Sequence, residues 1–292
     1  MKMQQPKVAT FSIIGHDPAT GETGIAVQSK FLGAGAVVPW AEAGAGAVAT
    51  QSYAETSFGP RGLQMLKEGS EPQAVIEELI ADDPDAALRQ FAVMNSQGKT
   101  AVYTGEECYE WAGHREGRFC TAQGNILTGG DTVDAMVETF EGSRAPLAER
   151  LTAALQAAQE AGGDARGKQS AALFVVQESG GYGGYNDRKY DLRVDDHKEP
   201  IEELKRLYEL HKLYFSKPDP SSLLELKGEV LDEVELLLMK DGLLKVKQDT
   251  WNRETQEALR MYFMRENFEE RWHERKIDPA VLTYMRADIN NK

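Results

Sequence analysis

The sequence predicts an α+β fold, a four-layer αββα sandwich followed by a small C-terminal helical domain. Two observations carry that expectation. Up to about residue 200 the elements run strands, two helices, strands, two helices, strands, and from about residue 218 the pattern is helical. A chain of 292 residues, 41% hydrophobic and 27% charged, is long for one compact core, so two domains are expected, 1–217 and 218–292.

Val8 to Ile14 (VATFSII) and Gly24 to Lys30 (GIAVQSK) are β-rich runs joined by DPATGE. Asp17, Pro18 and Gly21 supply turn chemistry there, so the pair reads as a hairpin. The Gly- and Ala-rich stretch Gly33 to Gln51, punctuated by Val37, Val38, Trp40 and Val48, fits two tightly layered strands. The period then changes. Leu63 and Leu66, then Val75, Ile76, Leu79 and Ile80, follow helical spacing, with Pro72 in the second helix's first turn and a Ser70/Gln73 capping box. FAVMNSQGKTAVYT returns to strand, turn and strand about Asn95–Gly98, and a further strand covers Phe119 to Ile126.

A helix capped by Asp131 runs through Phe140, and a longer one runs from Pro146 to about Glu160, stopped by Gly162 and Gly163. Strands return at Ser170–Gln177 and Lys189–Asp195. Pro200–Phe215 is amphipathic, and KPDPS at Lys217–Ser221 marks the domain boundary. Beyond it VELLLMKDGLL and ETQEALRMYFMRENFEERW are helical, with an apolar stripe that includes Leu236, Leu237, Leu243 and Leu244.

Composition narrows the function. The net charge of −14 repels a phosphate backbone, so nucleic acid is not an expected partner. From Ile201 onward 16 basic residues nearly balance 19 acidic ones, so the excess negative charge lies in the preceding part. Cys108 and Cys120 are too few for a disulfide scaffold and read as buried thiols. Five histidines show no metal-ligand spacing, so neither a metal nor a cofactor is expected. No signal-type apolar region and no run of 18 apolar residues occurs, so the expected location is cytoplasmic with no membrane partner.

The motifs ATFSIIGHDP, GIAVQSKFLGAGAVVPWA, GAVATQS, WAGH, QGNIL, GGDARGKQSAAL and YDLRVDDH occur in order over residues 8 to 200. Together they resemble the bacterial family known as domain of unknown function 1028, which looks like a member of the N-terminal-nucleophile (Ntn) hydrolase superfamily. WNRETQEALRMYFMRENFEER is similar to a peptidoglycan-binding-like domain. The resemblance implies an Ntn-hydrolase-like αββα domain acting on a small-molecule substrate, a C-terminal part that meets cell-wall fragments or simply packs, and a homo-oligomer.

In the Ntn superfamily the first strand opens with a Thr, Ser or Cys whose own freed α-amine is the base. Thr10 is the matching position, and cleavage between Ala9 and Thr10 would supply the amine. The competing reading is a β-branched strand residue. The loops QGNILTGGD and GGDARGKQS match those beside the nucleophile. From them Asn125 is the candidate oxyanion donor, Asp164 and Ser170 orient the attacking group, and Arg166 could hold a carboxylate-bearing substrate. The bland alternative for Asn125 and Asp164 is turn and cap chemistry. Ser29, Lys30, Gln51 and Asp187 are the remaining candidate substrate contacts, and Gln28 stands where better-known members carry an acid. The leading expectation is hydrolysis of a small amide or related C–N bond, and the rival is a non-catalytic ligand-binding or wall-associated protein.

Overall fold

The computed structural model describes residues 10–248 and 250–290. Val8 and Ala9 of the expected first strand lie outside them. The chain divides into two compact units between Leu207 and Tyr208. In the first unit the elements are β1 (Thr10–Asp17), β2 (Glu22–Ser29), β3 (Pro39–Glu42), β4 (Gly46–Ser52), α1 (Phe58–Lys67), α2 (Pro72–Ala81), β5 (Arg89–Asn95), β6 (Thr100–Thr104), β7 (Gly113–Gly117), β8 (Cys120–Asn125), α3 (Asp131–Gly142), α4 (Leu147–Glu160), β9 (Ser170–Val176) and β10 (Arg188–Val194). Helix α5 (Pro200–Phe215) contains the division.

Two antiparallel sheets result, one ordered β10-β9-β2-β1-β8-β7 and the other β3-β4-β5-β6. The alternation of strand side chains sends each strand to two cores. Ile14, Ile25 and Val27 of the first sheet pack with Ala47, Ala49, Ala92 and Met94 of the second. On the other face of the second sheet, Val48, Phe91 and Val93 pack with Phe58, Leu63, Val75 and Leu79 of α1 and α2. Helices α3 and α4 contact the first sheet through β1, β2, β7 and β8. Gly15 makes that approach feasible, because a Cβ there would lie 2.6 Å from the Phe140 ring. Gly46 is required for a different reason: its φ of +138° and a Cβ position 2.0 Å from the Met94 carbonyl oxygen leave no room for a side chain.

Small residues between the sheets set their spacing, which gives a direct test. Ala47 is fully buried in that core, so Ala47→Leu forces extra carbon atoms into a filled layer and should cost about 1–3 kcal/mol. A lowered thermal midpoint is the expected readout. An unchanged midpoint would contradict the assignment of this layer.

Several local expectations need correction. Strand β7 (GHREG) was not anticipated, because it is a polar, partly exposed edge strand with little hydrophobic signal. The capping box at α2 does not form: the N-cap is Glu71 with no side-chain cap bond, although Pro72 occupies the first turn as expected. Asp131 lies inside α3 rather than capping it, where its charge meets the positive helix end.

The second unit contains β11 (Leu224–Glu225), α6 (Gly228–Lys240), α7 (Arg253–Arg265), β12 (Lys276–Ile277) and α8 (Pro279–Asn290). Its core is built on Val234, Leu238, Leu259, Tyr262, Phe263 and Phe268. Leu213 and Tyr214 of α5 pack against that core, so the unit begins ahead of the KPDPS tract. Leu236 is 54% exposed and does not belong to the apolar stripe. Both cysteines are buried and free. Among the described residues no helix is long and apolar enough to cross a membrane.

Candidate functional site

The site grows from register. At the beginning of β1, Thr10 lies opposite Asn125 of β8 on one side and Ser29 of β2 on the other, and Ser29 lies opposite Ser170 of β9. Directly paired residues share a face, so Asn125, Thr10, Ser29 and Ser170 form one polar row across four strands. The next row on that face begins Gln123 and Ser12. All six residues are buried. Thr10 Oγ1 donates to Ser29 Oγ at 3.1 Å.

The facing sheet supplies Gln51 of β4 and Gln90 of β5, themselves paired in register. Ser12 Oγ donates to Gln51 Oε1 at 2.6 Å and accepts from Gln123 Nε2 at 2.6 Å. Gln51 Nε2 reaches the Thr10 carbonyl at 3.4 Å and donates to Gln90 Oε1 at 2.8 Å. Asn125 Nδ2 donates to the same Gln90 oxygen at 3.1 Å. Gln90 Nε2 in turn contacts the Gly124 carbonyl at 2.8 Å, the Gly113 carbonyl at 3.1 Å and Thr104 Oγ1 at 3.1 Å. The floor of the site is therefore a network of neutral amides and hydroxyls linking the two sheets, with Gln90 at its hub. Such buried networks stay in place because each lost bond leaves a costly unpaired group.

The two loops nominated from sequence do come together. Leu127 bridges Asp164, Thr128 N–H donates to the Gly163 carbonyl, and Ala165 N–H donates to the Ile126 carbonyl. Asp164 is a clasp within this junction: its carboxylate accepts the Lys30 and Arg166 backbone N–H groups, each at 2.9 Å, and a forked contact from the Arg166 guanidinium at 3.2 and 3.3 Å. Ser170 Oγ donates to the Phe31 carbonyl at 2.6 Å and accepts from Ala34 N–H at 3.1 Å. Asp164 and Ser170 thus fasten backbone around the row, and Arg166 spends its fork on Asp164.

Three expectations are displaced. Lys30 is exposed and its Nζ lies 3.5 Å from the Lys168 carbonyl. Asp187 belongs to the β9–β10 hairpin loop, where it accepts from Ser179 N–H at 3.0 Å. That is the far end of β9 from Ser170, about 20 Å away at strand rise, because the hairpin closes at Val176. Gln28 pairs with Phe11 and so faces the opposite side of the sheet from Thr10. It is fully buried, and neither polar atom of its amide has a partner among the described residues. Sequence reasoning missed Ser12, Gln90 and Gln123. Ser12 and Gln123 did carry a signal, polar residues two apart on otherwise apolar strands, as in Thr10/Ser12 and Gln123/Asn125. In the second unit, Trp251 and Trp272 pack partly buried on its core. Trp272 meets Phe263 edge-on at 5.3 Å.

Comparison with known proteins adds the following. The model for a family of unknown function (DUF1028) matches residues 10–204. A model described as "Putative peptidoglycan binding domain" matches residues 214–285. The crystal structure of protein SPO2555 from Silicibacter pomeroyi, assigned to the same DUF1028 model, is similar at 32% identity with a TM-score of 0.64. The match covers 77% of this chain and 92% of that one. No curated protein matches the chain.

Proposed function

The chain belongs to the DUF1028 family, and on that premise we propose that its first unit is an Ntn-type hydrolase of a small amide or related C–N bond, built as a four-layer αββα sandwich with Thr10 as nucleophile. The observation that carries this reading is the row Asn125–Thr10–Ser29 at the opening of the central strand β1. An N-terminal nucleophile brings its own base, so a site made of neutral amides suffices once the Ala9–Thr10 peptide bond is hydrolysed.

In the proposed cycle the freed Thr10 α-amine takes the Oγ1 proton as Oγ1 bonds to the substrate carbonyl carbon. The oxyanion that forms is held by the second N–H of Asn125 Nδ2, the first being given to Gln90. Collapse breaks the C–N bond, and the protonated α-amine hands its proton to the departing amine. Water then attacks the Thr10 ester by the same proton path, releasing acid and restoring the hydroxyl. Asp164 and Ser170 act in this reading as positioning residues that hold the loops around the row. The peptidoglycan-binding-like second unit supports cell-wall fragments as one source of such amides.

A panel of small amides, imides and ureido compounds tests the proposal, with wild type compared against Thr10→Ala. Turnover of at least one compound by wild type, reduced on the order of a thousandfold or more in the variant, is expected for loss of a covalent nucleophile. Equal activity in both proteins would remove Thr10 from the mechanism. The rival, a non-catalytic binding protein, draws support from the commitment of Asp164 and Ser170 to backbone groups. It predicts ligand binding without turnover in both proteins.

A further inference from the structure

Each of two floor residues is followed by a residue with left-handed backbone. Ser52, after Gln51, has φ +67°, and Ile126, after Asn125, has φ +52°. Neither is glycine, and for a β-branched residue this conformation is a genuine outlier. Strain of that kind persists where surrounding structure enforces it, and it concentrates at ligand sites. Both turns bring a tyrosine to the same edge of the site. Tyr53 comes directly after Ser52, and the Tyr109 carbonyl accepts the Ile126 N–H at 3.0 Å.

The two hydroxyls lie 3.4 Å apart, and the rings sit 6.2 Å apart between centroids at a 36° tilt. The pair therefore spans from the end of β4 to the end of β8, just past Gln51 and Asn125. Tyr53 is fixed from behind: its N–H donates to the Leu88 carbonyl at 3.4 Å, and its carbonyl accepts from Arg89 Nη1 at 2.6 Å. The Arg89 charge is met by Asp83, at 2.7 Å from Nε to Oδ2. Tyr109 is 40% exposed and Tyr53 half-buried, so ring surface is open to a small molecule.

We propose that Tyr53 and Tyr109 form an aromatic subsite that takes a planar, uncharged group of the substrate, held beside the amide floor by the strained turns at Ser52 and Ile126. Rings bind flat apolar surface, while the floor offers only neutral donors and acceptors, so the fitting substrate is an aryl or flat heterocyclic amide rather than a carboxylate. The inference rests on the reading of Thr10 for the word substrate, but binding is measurable without turnover.

The probe is benzamide, with acetamide as the control, titrated by NMR into the full chain. Benzamide should bind at least about tenfold tighter than acetamide and show cross-relaxation to tyrosine ring protons. Tyr53→Leu and Tyr109→Leu should each weaken benzamide about five- to tenfold, while the corresponding Phe variants stay within about twofold, since ring faces rather than hydroxyls do the binding. Equal affinity for the two probes, or no cross-relaxation to tyrosine in wild type, overturns the subsite without relying on any variant's folding. So does unchanged benzamide affinity in a folded double Leu variant. Thr10→Ala should bind benzamide as wild type does. Benzamide binding by wild type with no turnover of any amide by wild type would sink the nucleophile and leave the subsite standing. Turnover of aliphatic amides without benzamide binding would do the reverse.

Discussion

Gln90→Leu is expected to destabilise the first unit by on the order of 4 kcal/mol, because one substitution strands several buried groups together. Gln90 Oε1 accepts from both Gln51 and Asn125, and its amide nitrogen serves the Gly124 carbonyl at 2.8 Å. Leucine fills similar space but satisfies none of them, and Gln90, Gln51 and Asn125, at most 1% exposed, are too buried for bulk water to replace the lost bonds. The urea midpoint of the first unit should fall with an unchanged slope. Activity, where present, should fall too, since Asn125 loses the oxygen that orients it. A loss under about 1 kcal/mol would mean that the amides find other partners and that Gln90 is no hub.

Arg271→Ala should unfold the second unit selectively. The guanidinium is buried and pairs with Asp278, and it also donates through Nε to the Leu213 carbonyl and through Nη2 to the Lys212 carbonyl at 2.7 Å. Asp278 separately accepts the Ala280 N–H at 2.8 Å at the start of α8. Alanine leaves a carboxylate that is only 4% exposed without its counter-charge, and breaking such a pair from one side costs about 3–5 kcal/mol. A core this small has little stability to lose. Calorimetry should show one early transition for the second unit and a retained one for the first. Arg271→Met with Asp278→Asn should recover much of the loss, since no charge is then stranded. A melting profile unchanged in Arg271→Ala would contradict the role given to this pair.

The order of elements was legible because hydrophobic period changes at the right places: VATFSII and GIAVQSK alternate or run apolar, whereas Val75, Ile76 and Leu79 recur at helical spacing. What escaped lacked that signal. The edge strand β7 is polar and half-exposed, and α8 opens on Asp278 and Pro279, a readable start that the stronger α6 and α7 patterns overshadowed. At the site, Thr10, Ser29, Gln51 and Asn125 were nominated and meet, because they end neighbouring strands. Gln90 was not, because its importance lies in partners more than 20 residues away, set by register between sheets. Asp187 at the far end of β9 and Gln28 on the other face of β2 share one physical reason: which end of a hairpin, and which face of a strand, depends on pairing that a single strand does not encode.

The most direct test of the central claim is the intact mass of the purified full-length protein after incubation at neutral pH. A chain beginning at Thr10, with processing abolished in Thr10→Ala, is the result this account predicts. A wild-type chain that keeps Lys2 to Ala9 while hydrolysing an amide at full rate would contradict it, because a Thr10 nitrogen held in a peptide bond has no basic lone pair to take the Oγ1 proton.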